Sequence, residues 1–451
     1  MPEPRDLLFS TPGMTDAFSS EAQVRAMLAF EAALARAEAR AGIISQVAAD
    51  VIAASCQVEL FDVAALYREA AVAGTPAIPL VRRLTALVNA EAQKFVHWGA
   101  TSQDAIDTAL MLQMRDGLDQ LVEGLLGVCA GCAALAEQHR QTLMAGRTLL
   151  QQALPITFGL KAARWLALAA RQVEMLREDR KRLLAVQLGG AAGSLAFLGD
   201  KGLQVAALLA EELGLAAPAL PWHTERDRVA RIAASLGIVA GAMAKIAGDV
   251  LLLSQTEVSE AMEATAPGKG TSSAMPQKHN PVAATFAVAA ARQAIGIVPV
   301  ILSAMAQEHE RAAGGWQAEW AAVPDLFCFT AGAVERVREA VSGLQIDTAR
   351  IQANLNQTGG LLMAESLTMA LAPQLGRPEA QRIVGAVCEQ AVTSGMTLHQ
   401  AALLNSEVRA ILSPEALERA LDPRSYLGST EALIDRALET YHQIRAGGGE
   451  A

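Results

Sequence analysis

Residues 270–281 read GTSSAMPQKHNP. Gly268 and Gly270 supply a hinge, and Pro281 is suited to the first turn of a following helix. Between them stand Ser272, Ser273, Lys278 and Asn280. A serine is a poor acid or base unless its alkoxide is stabilised by backbone N–H groups, a helix N-terminus or a nearby cation. This loop can supply all three, although an ordinary polar loop has the same composition, and on this segment alone both readings stand. A second segment, HWGATSQD at residues 97–104, lies at the mouth of a long helical pattern. There Thr101 and Ser102 can cap the helix, or the same hydroxyls and N–H groups can hold an anion. A third, GRTLLQQ at residues 146–152, carries Thr148 and Gln151 ahead of another helical pattern. Its GRT alone is a weak signal.

The elements that must position these residues read as helices, and no block alternates convincingly as a strand. Residues 27–42 place apolar side chains at i, i+3, i+4 and i+7 and stop at Gly42. Longer patterns cover about 104–139, 155–184, 226–264 and 281–307, rods well beyond the average globular helix of about 11–12 residues. Pro and Gly separate them in AGTPAIPLV, LGGAAGSLAFLG, GLAAPALPWHT and the loop at 266–281. The expected architecture is all-α in three domains: a helical cap over residues 1–104, a central long-helix bundle over 105–357, and a helical cap over 358–451.

Composition narrows the setting. The 451 residues are 52% hydrophobic but only 4% aromatic, with a mean hydropathy of +0.25. Uncharged stretches such as Leu183–Gly199, 17 residues with four glycines, fall short of the roughly 18–20 apolar residues a spanning helix needs. The expectation is therefore no membrane association, with the apolar surplus buried at a large oligomer interface. The net charge of −10 and the lack of a long Lys/Arg block argue for no nucleic-acid partner. Five cysteines and no secretion-type N-terminus imply reduced thiols and a cytoplasmic location. Cys129 and Cys132 form a lone C-x-x-C inside an apolar helical run, where packing explains them better than redox or zinc chemistry. No metal-ligand motif such as H-E-x-x-H is present, and no metal or cofactor is expected.

GTSSAMPQKHNP resembles the S-S-x-M-P-x-K-x-N-P signature of the fumarase/aspartase/argininosuccinase superfamily. HWGATSQD and GRTLLQQALPITFG fall at the spacings of its other two active-site regions, so the resemblance spans nearly the whole chain. PWHTERDR, QEHERAAGGWQAEW and DPRSYLG are further similar to the bacterial 3-carboxy-cis,cis-muconate cycloisomerase family. The resemblance implies a homotetramer with a twenty-helix core and active sites shared between subunits. It implies Ser272 as the proton-transfer residue, with Lys278 and Asn280 binding the carboxylate next to the carbon that gains or loses the proton. Thr101, Ser102, Thr148 and Gln151 resemble carboxylate ligands of the family, and His97 matches a substrate-contacting histidine.

One departure bears on the reaction. Superfamily lyases that expel an amine or hydroxide-like group often carry GRTH, and commonly an acid a few positions after K-x-N-P that orients the histidine. Here those positions are Leu149 and Thr285. A lactonisation needs neither, because its nucleophile is a carboxylate with a pKa of about 4, ionised at pH 7. An apolar Leu149 would then serve to exclude water. The implied substrate is a small tricarboxylate, for which Arg226, Arg228, Arg311 and Lys269 are candidate cations beside Lys278. Each arginine also fits a structural ion pair, His223 fits a packing role as well as a ligand role, and Trp316 and Trp320 fit the core or an interface. The rivals are a carbon–nitrogen lyase related to adenylosuccinate lyase, and a non-catalytic structural protein on the same scaffold.

Overall fold

A computed structural model describes residues 4–447. Nineteen α-helices account for most of these residues, with two small two-stranded antiparallel sheets, so the fold is all-α in class. Six long helices matter for the site: α1 (Ser20–Arg40), α2 (Ser102–Gln138), α3 (Phe158–Leu183), α4 (Asp227–Leu253), α5 (Val282–Ser303) and α6 (Gly315–Ser342). The chain resolves into two compact units. The first comprises the chain up to Leu125, Gln172–Ala244 and Phe286–Arg336; the second comprises Leu126–Arg171, Lys245–Thr285 and the chain from Val337 onward.

Local chemistry sets the helix ends. Helix α1 starts earlier than its apolar repeat because the Ser19 hydroxyl accepts the Ala22 N–H at 3.1 Å, and it stops where Gly42 takes a φ of +68°. Helix α2 is opened by Asp104, whose carboxylate reaches back to the Thr101 N–H at 2.9 Å. Helix α5 begins directly after Pro281, and its first turn is closed by Glu263, which accepts the N–H groups of Ala283 (3.1 Å) and Ala284 (2.7 Å).

The first unit has its core where Val24, Met27 and Leu28 of α1 meet Leu80, Leu84 and Trp316. The second has a core of its own built from Leu355, Leu367, Ile383, Val387 and Leu417.

Two expectations from sequence need correction. The segment GRTLLQQALPITFG does lead into helix α3, but its residues up to Thr157 pair as strands where none was expected. The hairpin comprises β1 (Leu143–Thr148) and β2 (Gln151–Thr157), turning on Leu149 and Leu150 at φ +49° and +65°. Two positive φ values define the turn a two-residue hairpin favours, yet leucine lacks the Asn-Gly signature that would announce it. Helix α4 ends at Leu253, eleven residues short of the expected Ala264. The chain there turns into β3 (Ala261–Met262), paired with β4 (Gln345–Ile346), because Glu260 is drawn into a buried ion pair.

Three helices, α2, α4 and α5, are long and apolar enough to cross a membrane by length and composition. The uncharged-run criterion passes over them because each carries charged residues, such as Lys245 and Asp249 in α4 and Arg292 in α5.

Candidate active site

In the first unit, the segment before α2 is organised by one carboxylate. Asp104, wholly buried, accepts the Thr101 N–H at 2.9 Å, the N–H groups of Gly189 (3.0 Å) and Gly190 (2.9 Å), and pairs with His223 Nε2 at 2.7 Å. Gly190 adopts φ +69°, which fits its residue type. A single acid thereby ties the mouth of α2 to the glycine-rich loop after α3. Over this junction lies Arg311, whose guanidinium donates to Thr101 Oγ1 (3.3 Å) and to the carbonyls of Gly190 (3.4 Å) and Ala191 (2.9 Å). Beside them opens a cavity of about 740 Å³ lined by His97, Trp98, Gly190, Ala191, Ser194 and Phe197, with Trp98 stacked edge-on against Phe197. His97, Thr101 and Arg311 are therefore brought together, and Ser102 is the first residue of the adjoining helix.

The imidazole of His97 is held by Glu31 of α1, Nδ1 to Oε1 at 2.6 Å, on a backbone with φ +56°. Burial alone would lower the pKa of this ring. The Glu31 carboxylate, with a smaller contribution from Asp104, outweighs that and holds it above the usual histidine range.

Arg226 corrects the sequence-based assignment. It is 1% exposed and donates to Asp107 (2.7 and 3.0 Å) and to Glu319 (3.0 and 2.6 Å). Trp316 Nε1 adds a bond to Asp107 at 2.9 Å. The guanidinium is thus enclosed by two carboxylates beneath the α2 mouth, and it positions α2, α4 and α6 instead of facing a ligand. Arg228 sits against the carbonyls of Arg182 and Leu183, 3.4 Å from each. His223 takes the packing role as the partner of Asp104.

In the second unit, Thr148 and Gln151 are register partners across the hairpin, and Leu149 between them is 97% exposed. Arg147 anchors the strand by a two-point bond to Glu260 (2.8 and 2.6 Å), which Asn354 also reaches at 2.9 Å. The hairpin is thereby fastened to the stalk of the signature loop.

That loop closes on itself. Gly270 accepts the backbone N–H (2.9 Å) and side-chain amide (3.2 Å) of Asn280, and Thr271 bridges His279. Gly270 has φ +70°, and a Cβ there would lie 2.6 Å from the Asn280 carbonyl. Within the loop, Ser272 Oγ accepts the N–H groups of Ala274 (3.3 Å) and Met275 (3.1 Å). Two donors converging on one hydroxyl oxygen are the arrangement that favours its alkoxide. Lys278 is exposed. Lys269 is drawn away to Glu339 (2.9 Å) and Glu263 (3.5 Å). At the position of the missing acid, Thr285 donates its hydroxyl to the Pro281 carbonyl at 2.7 Å.

Sequence reasoning missed Glu31, Asp104 and Glu263. A signal for Glu31 exists in hindsight: it falls four residues after Met27, on the apolar stripe of α1, where a carboxylate has no reason to stand without a partner.

The lyase family model matches residues 8–296, and an adenylosuccinate lyase C-terminal model matches residues 360–437. The chain is 47% identical to a 3-carboxy-cis,cis-muconate cycloisomerase of Bradyrhizobium diazoefficiens, covering 96% of this chain and 97% of the relative. It is 46% identical to the enzyme of the same name from Pseudomonas aeruginosa, covering 97% and 96%. The crystal structure of the 3-carboxy-cis,cis-muconate lactonizing enzyme from Pseudomonas putida superposes with a TM-score of 0.93 at 43% identity, covering 98% of this chain and all of that one. With its signature loop, α2 mouth and hairpin in place, the chain belongs to the lyase family of the fumarase/aspartase superfamily, where it groups with the 3-carboxy-cis,cis-muconate cycloisomerases.

Proposed function

We propose that the protein closes 3-carboxy-cis,cis-muconate to 4-carboxymuconolactone. The observation that carries this choice of reaction is the pair of positions where a leaving-group relay would sit. Leu149 offers no proton, and the Thr285 hydroxyl is bound within its own helix turn. An attacking carboxylate needs no such relay. A terminal carboxylate oxygen of the substrate adds to the alkene carbon that bears the third carboxylate, forming the ring C–O bond. The π pair moves to the adjacent carbon and into its carboxylate, where Lys278, Asn280 and loop N–H groups stabilise the charge. The Ser272 hydroxyl then gives its proton to that carbon, forming the C–H bond, and recovers one from solvent. Tethering of the nucleophile supplies much of the rate through proximity. Thr101, Ser102, Thr148, Gln151 and Arg311 hold the remaining carboxylate oxygens.

The working form is a homotetramer with active sites shared between subunits. Leu149 and Leu150 support this: both are largely exposed in the protomer and both hold a backbone conformation that costs leucine roughly 1–2 kcal/mol. Exposed Ile238 and Leu252 on α4 and Ile295, Val300 and Leu302 on α5 supply apolar surface for the same assembly. The three-domain division at residues 104 and 357 is kept as part of this proposal.

Ultraviolet monitoring of purified, chelator-treated protein with 3-carboxy-cis,cis-muconate tests the reaction, since ring closure removes the conjugated diene. Loss of diene absorbance at an enzymatic rate is expected. Release of fumarate from adenylosuccinate at such a rate, with the muconate untouched, would replace it with the carbon–nitrogen lyase reading.

A further inference from the structure

We propose that Glu31 is the positioning residue for His97, holding the imidazole as a cationic ligand for one carboxylate of the substrate. The proposal rests on the tricarboxylate reading above. Its geometry begins in α1, where Glu31 is 1% exposed and lies on the buried stripe of the helix. A carboxylate placed there is costly unless it is paired. Its Oε1 meets His97 Nδ1 at 2.6 Å, while Oε2 has no protein partner. The bond at Nδ1 settles what Nε2 can do. Nδ1 donates its proton to Glu31, so in a neutral ring Nε2 carries only a lone pair and repels an anion. Nε2 donates to a carboxylate only when the ring is an imidazolium.

His97 belongs to the wall of the cavity beside Thr101 and Arg311, and its Nε2 has no hydrogen-bond partner among the described residues. Of the other candidate cations of this unit, Arg226 is enclosed by Asp107 and Glu319, and Arg228 lies against the carbonyls of Arg182 and Leu183, outside the cavity wall, whereas Arg311 lies against those of Gly190 and Ala191, which form part of it. Arg311 and a charged His97 remain as the pair that can meet carboxylates there. The groups acting on His97 are Glu31 from α1 and Asp104 from α2, both acidic. Behind Glu31 stand Glu38 on α1, whose carboxyl has no partner, and Cys56 at the end of the Gln46–Ser55 helix. Burial and the charge of Glu31 push the Glu38 carboxyl up to about 9 and the Cys56 thiol up to about 12. Both are therefore neutral at pH 7, and neither competes with His97 for Glu31.

The test is a histidine-labelled NMR titration of the full-length protein, with His97 assigned through His97→Gln. It is paired with binding of propane-1,2,3-tricarboxylate, an unreactive probe. In the wild type, the His97 ring should titrate above the usual histidine range. Glu31→Gln preserves the Nδ1 hydrogen bond but removes the charge, and should move the titration down by at least about one pH unit. Probe affinity in Glu31→Gln should then fall at least about fivefold between pH 6.5 and 8.5, and more steeply than in the wild type. A wild-type His97 that titrates at or below the ordinary histidine value overturns the proposal without recourse to any variant. So does a Glu31→Gln protein whose titration and pH-dependent probe binding match the wild type. Failure of the muconate to cyclise would reject the reaction and leave these readouts unmoved.

Discussion

Arg226 and Asp107 form a two-point ion pair, at 2.7 and 3.0 Å, from which solvent is excluded. Glu319 closes the other side of the same guanidinium. Removing the cation would leave two buried carboxylates uncompensated, a loss of roughly 3–5 kcal/mol. Arg226→Met is therefore expected to lower the urea midpoint sharply or to prevent accumulation of folded protein. A stable variant with only a raised KM would return Arg226 to the ligand set.

Glu38 makes stability depend on pH in the direction opposite to a salt-bridged acid. Burial, then the charge of Glu31, raises its carboxyl from 4.5 to about 9 in the folded chain. The folded state therefore binds a proton that the unfolded state releases between those values, and the stability present below the lower one is lost as pH rises through the upper one. Urea midpoints between pH 5 and 9 should show this decline in the wild type. Glu38→Gln should remove that component and exceed the wild type at pH 8 by at least about 1 kcal/mol.

Leu149 stands at a hairpin tip at φ +49°, a conformation that histidine tolerates better than leucine. Leu149→His should leave stability within about 0.5 kcal/mol of the wild type. Chromatographic analysis of the products should show a lower yield or poorer retention of the lactone, because a titratable group then replaces the apolar one that the proposed reaction uses to exclude water. An unchanged product profile would remove Leu149 from the specificity of the reaction.

The long helices were legible because their apolar repeat and their Gly and Pro boundaries are local signals. The starts of α2 and α5 fell within two residues of expectation. The hairpin was not legible, since Leu149 and Leu150 carry none of the residue types that mark a tight turn. Nor was the end of α4, where the pull comes from Arg147, 113 residues away in sequence from Glu260. The loop chemistry was readable at the level of residue type, and the structure adds the donors on Ser272 Oγ. For Arg226 the sequence left a ligand role and a structural ion pair both open, because the acids that enclose it lie 119 and 93 residues away. Glu31 was not legible because its partner, His97, lies 66 residues away in sequence.

The central claim is that the Ser272 hydroxyl, held by the N–H groups of Ala274 and Met275, delivers the proton to carbon. Its most direct test is the rate of diene loss from 3-carboxy-cis,cis-muconate with Ser272→Ala, in a preparation whose assembly state matches the wild type. A fall in kcat of at least on the order of 10²-fold is expected. Turnover near the wild-type rate would contradict the account and send the search for the proton donor elsewhere in the loop.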